Sequence, residues 1–157
     1  MNSLKNHFLI SVPHLKDPLF EKSVIYLCEH DNKGAMGLII NKVINKNSIT
    51  NKNSISDNEL NKYLRENYLY IGGPVLTDKI LLLHTNNKIS KSVHINDEIS
   101  ISGNVELLTS IQKLKDVKSK LFLGHSGWSR GQLEREIENG DWLIQKSSTD
   151  LIFEQQI

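Results

Sequence analysis

One cysteine, three prolines and two tryptophans in 157 residues put several structural devices out of reach. A single thiol closes no internal disulfide, so a packed core must hold the fold, as expected for a chain kept in a reducing compartment. Charge of one sign is also missing: 19 Lys and Arg face 18 Asp and Glu, a net charge of +1. That balance offers no general attraction to nucleic acid or a membrane surface. Hydrophobic runs such as Ile80 to Leu83 stop after four residues, whereas a spanning helix needs roughly 20. The N-terminus has Lys5 and then Phe8-Leu9-Ile10, interrupted by Ser11 and Pro13. This is not a secretory apolar region of about 7 to 15 residues. The expectation is a cytoplasmic protein with no membrane span. The local lysines Lys113, Lys115, Lys118 and Lys120, with Asp116 among them, read as a solvated helix end.

What is present fits a single domain spanning residues 1–157: 38% hydrophobic and 24% charged residues can build a core. The most informative stretch is SVIYLCEHDNKGAMGLIIN, residues 23–41. It reads as two strands joined by the turn Asp31-Asn32-Lys33-Gly34, whose residue types suit a hairpin. Strict alternation along the first strand predicts Cys28 and His30 on one face. Residues 42–56 change to Asn, Lys, Ser and isolated Ile, and are expected to form a mobile surface insert.

Ser56-x-x-Glu59 has capping-box spacing before Leu60, Tyr63 and Leu64, predicting a helix over 57–66. Strands are expected at His7–Val12, Tyr68–Ile71, Ile80–His84, around Val93 to Ile101, at Leu121–Leu123 and at Trp142–Ile144. Asn104 is a candidate N-cap for a helix carrying Leu107, Leu108, Ile111 and Leu114 on one stripe. A further helix is expected at Gln132–Glu138, and a terminal turn or helix start from Asp150 to Phe153. Gly72-Gly73-Pro74 reads as a turn, and Gly124 to Trp128 as a tight loop. Strands and helices mix without a regular βαβ repeat, so the class is α+β.

Chemical motifs are sparse. Gly124-His125-Ser126-Gly127 approaches a nucleophile elbow, but Gly-x-Ser-x-Gly needs its second glycine where Trp128 stands. Gly72-Gly73-Pro74 lacks the Lys-Ser/Thr of a P-loop. Cys28, His30, His84, His94 and His125 show no metal-ligand spacing, so no metal and no cofactor are expected. Cys28 reads first as a small buried hydrophobe. The competing reading makes it a thiolate with His30 as base, assisted by Glu134 or Glu136.

Taken in chain order, His7-Phe8-Leu9-Ile10, Asp17-Pro18-x-Phe20, Ser23-Val24-x-Tyr26-Leu27-Cys28-Glu29-His30 and Gly34-Ala35-Met36-Gly37-Leu38 resemble the bacterial AlgH/YqgE family. So do Gly72-Gly73-Pro74-Val75, Asp78, His84 and Gly127-Trp128-x-x-Gly131-Gln132-Leu133-Glu134-x-Glu136, through Trp142-Leu143. The resemblance runs from about residue 7 to 153. It departs at Lys42-Val43, where relatives usually have Arg-Pro, and at His125-Ser126, where they usually have Tyr-Ala. It implies an α+β domain with a flattened, barrel-like mixed β-sheet and flanking helices. It implies no reaction, and transcriptional regulation only through the name-giving member.

The functional expectation is therefore a non-catalytic binding or regulatory protein with an unknown protein or small-molecule partner. Specific nucleic-acid binding is not expected. The alternative is a small enzyme or redox-sensitive protein using Cys28 and His30. The candidate pocket comprises Cys28, His30, Asn41, His84, Trp128, Gln132, Glu134 and Glu136.

Overall fold

The backbone is organised around an eleven-residue strand near the C-terminal end. In the computed structural model, which describes residues 2–46, 57–86, 92–104 and 106–154, the elements follow one another as β1 (His7–Ser11), β2 (Val24–Asp31), β3 (Gly34–Ile39), β4 (Val43–Ile44), α1 (Asp57–Glu66), β5 (Leu69–Ile71), β6 (Val75–Thr85), β7 (Val93–His94), β8 (Ile99–Ser102), α2 (Leu107–Gln112), β9 (Ser119–Ser129), α3 (Gln132–Glu138), β10 (Trp142–Lys146) and α4 (Thr149–Phe153). The strands form a curled half-barrel sheet in the order β10-β1-β2-β3-β9-β6-β8-β7, with β4 and β5 beside β9. Pairing is antiparallel except between β5 and β9. The class is α+β with a mixed sheet, as the sequence predicts.

β9 is long because it serves two neighbours in succession along one edge. Leu121–Leu123 run parallel to Leu69–Ile71, and Ser126–Ser129 then run antiparallel to Gly34–Gly37. The other edge pairs with β6. Gly124 sits between the two partners at φ +73, where a side chain would be strained. The tight loop expected at Gly124–Trp128 is thus strand. Its Gly and Ser content looks like a turn, but pairing on both edges overrides local composition.

Where they cross the middle of the sheet, β2, β3, β6 and β9 bury side chains on both faces, which is why parts of them read as continuous apolar runs. Tyr26, Leu38, Leu83 and Phe122 join one cluster with Tyr70, Ile99 and Ile152 of α4. Their chain neighbours point the other way. Leu82 and Leu121 pack with Leu60, Leu64, Leu107 and Leu108 beneath α1 and α2. Ile25, Leu27 and Ile39 pack with Leu9, Trp128, Leu133 and Trp142 beneath α3.

Three local expectations change. Val43 and Ile44, at the start of the predicted insert, form β4 against Tyr70 and Leu69, because their apolar side chains pack on two of the clusters. Residues 47–56, including the capping residue Ser56, lie outside the described residues. α2 begins after Glu106 rather than at Asn104, whose side chain accepts from Glu106 N at 3.0 Å. Leu114 falls past the helix end and is 42% exposed.

A buried lysine ties α4 to the sheet. Lys120 Nζ donates to Ile40 O at 2.9 Å and to Glu154 O at 3.0 Å, and lies 4.2 Å from the centre of the Tyr70 ring. Burial pushes its pKa down to about 8, against the opposing pull of Glu154. Between about pH 8 and 10.5 the folded protein therefore binds fewer protons at this site than the unfolded chain, so stability rises with pH. Urea unfolding from pH 8 to about 9.5, before unfolded-state tyrosines ionise, should show a rise on the order of 1–2 kcal/mol in the native protein. Lys120→Met should lose that slope; an unchanged slope would place its origin elsewhere.

Candidate functional site

Five of the eight predicted site residues gather where β2, β9 and α3 meet. The carboxylate of Glu136 accepts Trp128 Nε1–H at 3.0 Å and Trp142 Nε1–H at 2.9 Å on one oxygen, and Gln132 Nε2–H at 2.9 Å on the other. Gln132 Oε1 in turn accepts the Ser129 amide at 3.0 Å. The indoles meet edge to face at 6.3 Å, and Phe20 packs edge-on to Trp142 at 5.9 Å. This is a satisfied clasp fastening α3 to the ends of β9 and β10.

His30, buried at 7% exposure, is similarly occupied. The Leu4 amide donates to Nδ1 at 2.8 Å, which fixes the neutral tautomer with its proton on Nε2. Nε2 lies 3.5 Å from the Glu134 carboxylate. A general base needs a free lone pair, and the backbone of Leu4 already holds this one. His30 thus anchors the N-terminal segment to β2, helped by Ser3 Oγ donating to the His30 carbonyl at 2.9 Å.

Cys28 is elsewhere. The β2–β3 register shifts between Leu27 and Glu29: Leu27 opposes Gly37, and Glu29 opposes Met36. This β-bulge inserts one residue and resets the alternation. Cys28 stays with Tyr26 on the α4 side, whereas His30 points to α3 on the opposite face. The same-face expectation fails for that reason. The buried thiol contacts Tyr26 O at 3.7 Å. Burial pushes its pKa far above the ordinary thiol value, with the Glu29 carboxylate adding to the shift and Lys5 opposing it. Native Cys28 should react with a thiol reagent only through local opening or unfolding, and His30→Ala should not change that rate. Cys28→Ala should cost about 1 kcal/mol. Fast labelling that depends on His30 would contradict this account.

Asn41 and His84 have structural partners. Asn41 accepts from Val24 N at 2.9 Å and donates to Lys22 O at 3.0 Å, bracing the entry to β2. His84 is fully buried, with Nδ1 2.7 Å from Thr85 O and Nε2 2.8 Å from Ser92 Oγ. Ser126 is buried and donates to Gly72 O at 3.0 Å within β9, so no elbow forms. Gly72 bridges β3 and β9 through Ile39 N and Leu123 O, both at 2.9 Å. The glycine pair is a backbone crossing.

Of the predicted residues, Cys28 lines an apolar groove of about 510 Å³. Cys28, Met36, Leu76, Leu81, Val93 and Ile101 give it an apolar lining, with His125, Glu29, Lys5 and Lys79 as its ionisable groups. Met36, Leu81 and Ile101 extend the buried cluster that contains Cys28 along the same sheet face. Leu76 and Val93 are 57% and 61% exposed. Leu76 holds φ +49, a strained value for a branched residue, where β6 shifts register between Val75 and Ile80. Burial lowers the pKa of His125, with Glu29 opposing, which leaves the imidazole neutral at pH 7. Sequence reading missed this site because its residues come from six strands with no shared motif; the alternation of Val93, Ile95, Ile99 and Ile101 was the available signal. Among the described residues, no group of three His, Cys, Asp or Glu side chains is placed to hold a metal, and no helix is long and apolar enough to cross a membrane.

The half-barrel with its helix-backed clasp defines a class of small α+β protein, and comparison with known proteins gives that class its family. The model of the AlgH-like family matches residues 8–157, and this chain belongs to that family. It is 43% identical over 160 residues to a UPF0301 protein of Buchnera aphidicola, covering 99% of this chain and 85% of that one. A UPF0301 protein of Marinomonas sp. is 42% identical, covering 97% and 82%. The solution structure of the AlgH protein from Pseudomonas aeruginosa superposes with a TM-score of 0.78 at 31% identity, covering 98% of this chain and 82% of that one. A Corynebacterium diphtheriae protein shares the fold, with a TM-score of 0.74 at 21% identity over 96% of this chain and 78% of that one.

Proposed function

We propose that this protein is a non-catalytic, cytoplasmic binding protein whose ligand site is the apolar groove between β2 and β7. The observation that carries the reading is the groove itself: a volume within the roughly 300–1,000 Å³ of small-molecule sites, apolar lining and a few polar groups. The alternative, a small enzyme or redox-sensitive protein using Cys28 and His30, has the bulge in β2 against it. Nile red, a neutral apolar probe, should bind the native protein, and Leu76→Asp should weaken it severalfold without unfolding a chain whose Leu76 is exposed. Binding unaffected by Leu76→Asp and Val93→Asp would remove the groove from consideration.

A regulatory role, transcription included, rests on family resemblance alone and is read here as acting through a bound partner. Near-zero net charge supplies no phosphate-tracking footprint. Titration with DNA at physiological salt should show weak, sequence-independent binding; specific affinity tighter than roughly 10⁻⁸ M would contradict it.

A further inference from the structure

The groove discriminates by charge as well as by hydrophobicity. Its lining contains two lysines, Lys5 and Lys79, one carboxylate, Glu29, and a neutral His125. No Phe, Tyr or Trp lines it among the described residues, so it offers no flat ring for stacking a planar ligand. Its floor crosses the sheet from Cys28 on β2, through Met36 on β3 and Leu81 on β6, to Ile101 on β8. That path covers four inter-strand steps, about 19 Å at roughly 4.8 Å per step. It is long and aliphatic. A protein partner would need about 800 Å² on each side, far more than this cleft presents.

We propose that the groove binds a free, unbranched aliphatic carboxylate of the fatty-acid class, its chain along Met36, Leu81 and Ile101 and its carboxylate at Lys5 and Lys79. The inference rests on the groove being a ligand site and adds the chemistry of what enters it. An aliphatic chain satisfies the floor by removing Met, Leu and Ile surface from water. The carboxylate meets a rim with one more positive than negative group, while a quaternary ammonium of equal chain length would be repelled.

The test titrates the full chain with decanoate and decyltrimethylammonium below their micelle concentrations and with decanol below its solubility limit, following the Met36 methyl resonance. Decanoate should bind most tightly, decanol next and the ammonium least. Replacing both lysines, Lys5→Glu and Lys79→Glu, should weaken decanoate roughly two- to thirtyfold, since each exposed pair contributes about 1.4- to fivefold, and should leave decanol unchanged. Leu76→Asp should weaken decanoate and decanol. Equal affinity for the three probes, or no loss in the lysine double variant, overturns the carboxylate assignment and leaves the groove as an apolar site. No shift at Met36 with any probe overturns both.

Discussion

Gly73→Ala should destabilise the protein by about 4 kcal/mol or more, enough to cost soluble yield. A Cβ at residue 73 would lie 2.3 Å from the carbonyl carbon and oxygen of His125 and 2.4 Å from Ser126 N, and the residue holds φ +155. Those are backbone atoms of β9, which is bonded to β3, β5 and β6 and has no direction in which to withdraw. Gly103→Ala is the control, because its Cβ would meet only Leu81 Cδ2 at 3.9 Å. That variant should unfold within about 1 kcal/mol of the native protein. Urea titrations giving similar midpoints for the two variants would show that β9 tolerates displacement at His125.

Glu136→Leu should cost about 3 kcal/mol, because it leaves two buried indole N–H groups and the Gln132 amide without their acceptor. For a chain of this length the melting temperature should fall by roughly 6–12 °C. Glu136→Gln keeps one oxygen that can accept both indoles, and should lose about 1 kcal/mol. Tryptophan fluorescence should report the loss directly, since both rings adjoin the altered side chain. Equal stability of native protein and Glu136→Leu would show that water replaces the carboxylate at no cost.

Much of the helix content was legible because helices carry their period locally. Leu60, Tyr63 and Leu64 mark α1 at the predicted bounds, and Leu133 marks α3. The β2–β3 hairpin was legible from its turn. β9 was not: three residues of it read as strand, while Gly124 to Trp128 looked like a loop, because strand pairing depends on partners dozens of residues away.

The candidate site divides along the same line. Trp128, Gln132 and Glu136 were found together because they lie within nine residues on a strand end and the helix that follows. Their role as a clasp emerged only when Trp142 arrived to share the carboxylate. Cys28 and His30 looked like partners on simple alternation, and one inserted residue in β2 placed them on opposite faces.

By itself the sequence determined the α+β class and the bounds of α1 and α3, since turn chemistry and helical periodicity are local properties, and its motifs carried the resemblance to the family. The tertiary structure alone decided the bulge, the path of β9, and the assembly of six strands into a groove that no short segment encodes. The physical reason is that a strand's backbone hydrogen bonds, and hence its register and the faces its side chains occupy, are completed by residues distant in the chain.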